Sequence, residues 1–502
     1  MTGQTRGLAQ LGLTARRGKA DVAITDLVLD SRAVTPGALF AALPGTRWHG
    51  AEFIPFALRM RAGAVLTDAE GAEIAAEALA AHPDTALVVA EDARAALAMA
   101  AALWFGAQPG CTVAVTGTNG KTSVASFARQ IWAALGAGAI NVGTTGIEGA
   151  WEAPLAHTTP DAVTLHRMLA EAARAGITHA AMEASSHGLD QRRLDGVALA
   201  AAGFSNLSQD HLDYHPDMES YFAAKAGLFT RLLPEDAPAV VNTDCPYGAR
   251  LAGMLGGMKG ARPVLRVGTG DDCDLRILAQ RFEAHGQHLR FSHRGAVHQV
   301  HLPLVGGFQA ANALLALGLV LASGPDDADR AGQAVAALSR LQGVRGRMQL
   351  AGTRANGAPV FVDYAHTPAA LETALQALRP HVMGRLIVVF GAGGDRDRGK
   401  RPLMGKAAAD HADVVYVTDD NPRSEDPGAI RVEILKACPE ANEVGDRAEA
   451  ILLGVDAALP GDAVLIAGKG HEQGQTVGGT VYPFDDVEQA SVAIEALDRR
   501  RR

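Results

Sequence analysis

The densest chemistry in the chain lies in VTGTNGKTS, Val115 to Ser123. Backbone N–H groups of a glycine turn at a helix N-terminus cradle phosphate oxygens, a lysine pairs with the β and γ oxygens, and the hydroxyl that follows ligates Mg2+. Gly117, Thr118, Asn119, Gly120, Lys121, Thr122 and Ser123 supply those parts for ATP. The spacing departs from GxxxxGK[ST], because Val115 stands where the first glycine belongs. A glycine turn that merely caps a helix beside an incidental lysine is the competing reading. The β-branched run TVAVT before the loop and the helical apolar spacing of SVASFARQIWAAL after it favour the phosphate site.

Three further polar residues follow. Glu183 ends the run THAAME, His211 lies in DHLDYH, and Lys225 lies in YFAAKAGLF. Taken alone, His211 also fits a surface histidine and Lys225 a solvated helix lysine. Beside a nucleotide loop they suit phosphoryl transfer, which needs charge neutralised on both reacting oxygens. Toward the C-terminus come four polar turns, DYAHTP (from Asp363), GAGGDRDRGKR (from Gly391), DDNPR (from Asp419) and AGKGHE (from Ala467). Each alone reads as a charged turn. Four in one segment, several at strand ends, point to a composite anion site.

The elements that position these residues follow a βα rhythm. TDLVLDSR and GALFAAL read as strands and AEIAAEALAAH as a helix, in a small unit ending near the Pro109-Gly110 turn. TVAVTG, THAAMEA and APAVVN are strands of a second domain, with the alternating segment RFEAHGQHLRFSHRGAVHQVHLPL as an antiparallel insert. After LQGVRGRMQL the rhythm resumes with RLIVVFG, DVVYVTDD and AVLIAGKG, strands whose carboxyl ends carry the polar turns, where ligands bind in such sheets. The expected fold is α/β with three domains, 1–109, 110–344 and 345–502: a central P-loop-type parallel-sheet ATPase domain and a Rossmann-like C-terminal domain. A length of 502 residues exceeds one ordinary core.

Composition narrows the function. A net charge of −9 and pI ≈ 6.0 disfavour a nucleic-acid or anionic-membrane surface, and short basic runs such as RGKR sit in mixed sequence. The cysteines at 111, 245, 273 and 438 match no zinc or redox spacing, which predicts reduced thiols in a cytoplasmic protein. The longest apolar run, AALAMAAALWFGA, is too short to span a bilayer.

GTNGKT, SSHGLDQRR, DHLDYH, the AAK lysine, GRM, DYAHTP, GGDRDRGKRP, DNPR and GKGHE, in this order over nearly the whole chain, resemble the Mur ligases of peptidoglycan synthesis, and within them the diaminopimelate-adding branch. The resemblance implies that one domain holds a UDP-sugar, a central one ATP, and a third the incoming amino acid. It implies that Leu29, Ser31, Thr46, Arg47 and Trp48 bind the uridine-diphosphate end, and that Thr158, Thr159, Ser185, Gln191 and Arg193 hold the muramoyl-peptide end. Lys121 and Thr122 would serve ATP and Mg2+, with Glu183 and His211 near the metal, and Asn312 and Arg347 would contact adenine and phosphate. Lys225 resembles a lysine that is carbamylated in the family, which would turn a cation into an oxygen ligand for Mg2+. For meso-diaminopimelate the resemblance implies Arg396, Asp420, Asn421, Pro422, Arg423, Gly468 and Glu472. Arg423 offers the fork that a second carboxylate needs and that lysine-adding relatives typically lack.

The implied reaction joins the amino acid to a UDP-N-acetylmuramoyl dipeptide through an acyl phosphate, in a cytoplasmic monomer with no membrane span. Gln309 stands where many relatives carry asparagine, and His157 where some do. The rivals are the same ligase using L-lysine, folylpoly-γ-glutamate synthetase, and a nucleotide-switched binding protein. The last would not need the polar turns of the third domain.

Overall fold

In a computed structural model, the protein is described over residues 5–45, 48–155, 157–210, 214–257 and 262–499. Its contacts fall into two compact units: residues 1–265 with 319–326, and residues 266–318 with 327–502.

The first unit holds a two-stranded antiparallel ladder, Arg6–Gly7 with Ala23–Ile24, and two larger sheets. In the smaller, Leu27–Val28, Leu39–Ala41, Ala64–Thr67 and Ala86–Val89 run parallel in chain order. The stretch expected as one helix, AEIAAEALAAH, divides at Ala75 (φ −98°, ψ 12°) into the short helices Ala69–Ile74 and Ala76–Ala80. The larger sheet has the parallel order Ala239–Asn242, Leu199–Phe204, Cys111–Thr116, His179–Glu183, Ala139–Gly143, with Gly146–Gly149 added antiparallel at the edge. Helix Ala93–Phe105 packs on helix Ala162–Arg174, which joins residues of the smaller sheet's core to the larger layer.

The strand expected ahead of the phosphate loop is central. Val113, Ala114 and Val115 are buried on both faces, hence a continuous rather than alternating apolar run. The loop then feeds helix Lys121–Ala134, whose Val124, Phe127, Ala128, Ile131 and Trp132 recur at helical spacing and are wholly buried. At about 1.5–3 kcal/mol for each large side chain, that face is what holds the loop's helix to the sheet.

In the second unit, Pro359–Asp363, Ala463–Ala467, Leu386–Phe390, Val414–Val417 and Asn442–Glu443 form a parallel sheet in that order, with Gln349–Thr353 antiparallel on the edge. Because the strands are parallel, Asp363, Gly391, Asp419 and Gly468 all emerge at one edge. The expected antiparallel insert is a meander of Leu275–Glu283, Gly286–His293 and Ala296–Leu302, in which Gln287, Leu289 and Phe291 face inward at period two.

Candidate functional site

Gly120 caps helix Lys121–Ala134 in the left-handed region (φ 85°), and Gly117 (φ 148°) lies where a Cβ would collide with Ser205 Oγ. The loop is clamped from the end of the neighbouring strand. Asn119 N donates to Asn206 Oδ1 at 3.0 Å, Thr118 N donates to Asn206 O at 2.9 Å, and Ser205 Oγ donates to Asn119 O at 2.6 Å. Lys121 Nζ folds back on the carbonyls of Gly117 (3.0 Å) and Thr118 (2.8 Å). The result is a concave run of backbone at a helix N-terminus with a cation beside it, suited to a polyphosphate.

Glu183, at the end of its strand, is 2% exposed. Its carboxylate accepts from Thr122 Oγ1 (3.0 Å), Thr144 N (2.8 Å) and Thr144 Oγ1 (3.3 Å), and the absence of a side chain at Gly143 leaves it room. A hydroxyl and a carboxylate are hard oxygen donors, the set that fits Mg2+. Among the described residues no group of three or more His, Cys, Asp or Glu is placed to hold a metal, and His211 lies outside them.

Lys225 is 1% exposed, donates to Gly117 O at 2.7 Å and sits 4.6 Å from the centre of the Tyr221 ring. Burial, and then the nearby Lys121 charge, hold its amine well below the usual lysine range. Tyr221 also meets Thr118 Oγ1 at 3.2 Å, and burial keeps its phenol neutral, pushed up to about 12.

Behind Glu183 lies a polar lattice. Thr159 Oγ1 donates to Glu183 O (2.9 Å) and accepts from Ser185 N (3.1 Å), while Thr158 Oγ1 pairs with Thr144 Oγ1 (3.0 Å). Ser185 caps helix Ser186–Asp190 by accepting from Gly188 N at 3.0 Å. Arg193 donates to Thr159 O and to Gln191 Oε1, both at 2.7 Å. Thr158, Thr159, Ser185, Gln191 and Arg193 are thus brought together with Glu183. Toward the N-terminus, Asp30 accepts from Arg32 N (2.9 Å) and pairs with its guanidinium, which holds the carboxyl down to about 2 and shapes the turn carrying Leu29 and Ser31. Trp48 is 66% exposed. Thr46 and Arg47 lie outside the described residues.

The second unit gathers the residues expected for the amino acid. Asn421 donates to Glu472 Oε2 (2.9 Å) and accepts from Thr476 N (2.9 Å), and Asp420 O accepts from Gln475 Nε2 (2.8 Å). Gly468 (φ 121°) lies so close to Asp420 that a Cβ there would stand 2.5 Å from Oδ2. Arg423, also left-handed (φ 52°), donates from Nη1 to Gly394 O at 2.8 Å, which ties the DNPR turn to the GGDRD turn. Arg396 is exposed on that second turn. Asn312 is buried and donates to Gln309 Oε1 at 3.0 Å, so the glutamine that departs from many relatives serves as its partner. Arg347 lies 4.7 Å over the Tyr364 ring.

Sequence reasoning passed over Ser205, Asn206, Thr144, Tyr221 and Lys469. Ser205 and Asn206 follow the strand Leu199–Phe204, which borders Cys111–Thr116, a pairing that the sequence carries no local signal for. Lys469 is fully buried and donates to Asn421 Oδ1 at 3.1 Å, with Glu472 Oε2 at 3.5 Å.

Three family profiles match the chain: "Mur ligase family, catalytic domain" over residues 23–104, "Mur ligase middle domain" over 115–320, and "Mur ligase, glutamate ligase domain" over 346–470. The chain is 49% identical over 485 residues to the UDP-N-acetylmuramoyl-L-alanyl-D-glutamate--2,6-diaminopimelate ligase of Caulobacter vibrioides, covering 95% of this chain and 97% of that one. It is 47% identical over 495 residues to the ligase of the same name from Rhizobium meliloti, covering 97% and 98%. A solved structure of a UDP-N-acetylmuramoyl-L-alanyl-D-glutamate--2,6-diaminopimelate ligase superposes with a TM-score of 0.73 at 33% identity, over 98% of this chain and 99% of that one. The folylpolyglutamate synthase of Mycobacterium tuberculosis, solved with ADP, shares the fold at 22% identity and TM-score 0.61, over 80% of this chain and 93% of that one. With all three domain profiles matched in order and near-half identity along almost its full length, the chain belongs to the Mur ligase family.

Proposed function

We propose that the chain is an ATP-dependent ligase that adds meso-2,6-diaminopimelate to UDP-N-acetylmuramoyl-L-alanyl-D-glutamate in peptidoglycan precursor synthesis. The observation that carries this reading is near-half identity, along almost the whole of each chain, to several ligases of that name. The two polar centres support it: a phosphate loop with Glu183 and Lys225 in one unit, and Asp420, Asn421, Arg423, Gly468 and Glu472 on converging turns in the other.

In this reading residues 1–109 hold the UDP-sugar, 110–344 hold ATP and 345–502 hold the amino acid. Lys121 pairs with the phosphates, and Thr158, Thr159, Ser185, Gln191 and Arg193 fix the muramoyl dipeptide so that its D-glutamyl carboxylate meets the γ-phosphate. The acyl phosphate that forms is attacked by the diaminopimelate amine, and phosphate leaves from a tetrahedral intermediate. Positioning and fixed charge are enough for both steps. Thr122, Glu183 and a carbamate on Lys225 would hold Mg2+, which supplies charge neutralisation on the phosphates. The neutral amine that burial favours at Lys225 is the form that reacts with CO2 to give that carbamate. Trp48, with Leu29 and Ser31, is assigned to the uridine end. No described helix is long and apolar enough to cross a membrane, and we assign the enzyme to the cytoplasm as a monomer.

Purified protein with ATP, Mg2+ and the UDP-muramoyl dipeptide should release phosphate in step with tripeptide when meso-diaminopimelate is added. L-lysine or no amino acid should give little. Release with lysine would overturn the amino-acid assignment, and release with neither would overturn the ligase.

Gly117→Ala tests the loop. The new Cβ meets Ser205 Oγ, with Asn206 O at 2.9 Å, on a backbone that L-residues rarely adopt. A displacement of ångström scale should cost roughly 100-fold in kcat/KM for ATP. Steady-state ADP formation measures it, and a loss under threefold would remove the loop from phosphate binding.

A further inference from the structure

Beneath the converging turns lies a cation that the proposed reaction does not use. Arg447 opens helix Arg447–Asp456 and is fully buried with Asp486, the first residue of helix Asp486–Arg499. The pair is bidentate, with Nε to Oδ1 and Nη2 to Oδ2 both at 2.7 Å. Two further guanidinium hydrogens go to main-chain carbonyls: Nη2 donates to Ala467 O at 3.0 Å and Nη1 to Asp419 O at 3.3 Å. Those carbonyls immediately precede Gly468 and Asp420.

The strands they cap, Ala463–Ala467 and Val414–Val417, are not neighbours, since Leu386–Phe390 runs between them. No ladder hydrogen bond can therefore set the distance between their tips. The planar fork of Arg447 spans that gap from beneath, alongside the side-chain contacts of Asn421 with Glu472 and Lys469, and its rigidity suits it to the task better than a lysine's flexible stem. The turns it ties are those that carry Asp420, Asn421 and Arg423 on one side and Gly468 and Glu472 on the other.

We propose that Arg447, anchored by Asp486, is a positioning residue for diaminopimelate: it fixes the spacing between the DNPR and GKGHE turns and thereby the width of the amino-acid site. The inference rests on the ligase reading given above. Arg447 itself is buried behind the turns and its four hydrogen bonds are all internal, so it acts through the turns that it holds.

Arg447→Lys keeps the charge and loses the fork. It should raise the KM for meso-diaminopimelate by about tenfold or more, because misplacement of a site by ångströms is costly. The KM values for ATP and the UDP-muramoyl dipeptide should stay within about twofold, as should the diaminopimelate-independent acyl phosphate trapped by hydroxylamine. Asp486→Asn loosens only the anchor and should shift the same KM in the same direction, by about threefold. Parallel losses in trapping and in all three KM values would assign Arg447 to general folding and overturn the proposal. So would an unchanged diaminopimelate KM in either folded variant, or failure of both variants to fold. Wild-type protein run alongside separates the two failures: if it makes no diaminopimelate-dependent product, the ligase reading falls first.

Discussion

Lys225→Ala should lower kcat by about three orders of magnitude while the protein stays folded. Losing one preorganised group that stabilises developing charge costs on the order of 100- to 1,000-fold, and the proposed carbamate would be such a group. In the structure Lys225 is a buried amine with one carbonyl partner, Gly117 O, and a neighbouring cation, Lys121. An ammonium there would oppose Lys121 and any metal that Thr122 and Glu183 were to hold. Burial therefore favours the neutral amine, and a neutral amine captures CO2. The sign follows from the shift: with the folded pKa below the unfolded value, the reactive amine persists to lower pH than an exposed lysine allows. Below the folded pKa the ammonium returns and carbamate formation stops. Carbon-13 bicarbonate should give one carbamate resonance in wild-type protein that Lys225→Ala lacks, and activity should fall when CO2 is stripped at mildly acid pH. Full activity in Lys225→Ala, or no carbamate signal in active wild type, would sink this role.

How much of this was legible in the chain depends on the range of the interaction. The strand, loop and helix around VTGTNGKTS are written locally, in a β-branched run, two glycines and a 3.6-residue apolar repeat, and all three form where expected. The polar turns at Gly391, Asp419 and Ala467 were equally readable, because each follows a short apolar strand. The clamp of Ser205 and Asn206 on the loop was not. It exists because Leu199–Phe204 pairs with Cys111–Thr116, with Gly203 opposite Val115, and such pairing across some ninety residues leaves no local pattern. Arg447 and Asp486 were hidden for the same reason: they lie in unremarkable helix starts 39 residues apart and meet only when two helices pack. Lys469 sits in a turn that reads as polar, yet it is wholly buried, since the lysine's carboxylate and amide partners come from two turns at once.

Arg423→Ala should raise the KM for meso-diaminopimelate by roughly 10- to 150-fold, the equivalent of about 1.5–3 kcal/mol for a hydrogen-bonded charged group. The guanidinium uses Nη1 to hold Gly394 O, and among the described residues Nε and Nη2 remain as donors for a carboxylate. Lysine lacks the distal carboxylate, so the variant should discriminate less between the two amino acids, and the KM for ATP should not move. Because Arg423 has φ 52°, loss of the side chain must be separated from backbone effects. Arg423→Gly provides the control. It lacks the same guanidinium but suits the left-handed backbone, and the relieved Cβ clash favours it over Arg423→Ala by about 1–2 kcal/mol before glycine's entropy is counted. Glycine's larger conformational entropy offsets about half of that or more. If the two variants share the raised KM despite different stabilities, the guanidinium recognises the carboxylate. If the diaminopimelate KM is unchanged in Arg423→Ala, that assignment fails and Arg396 becomes the remaining arginine to test. A KM that follows stability across the two variants would make Arg423 a brace for the GGDRD turn.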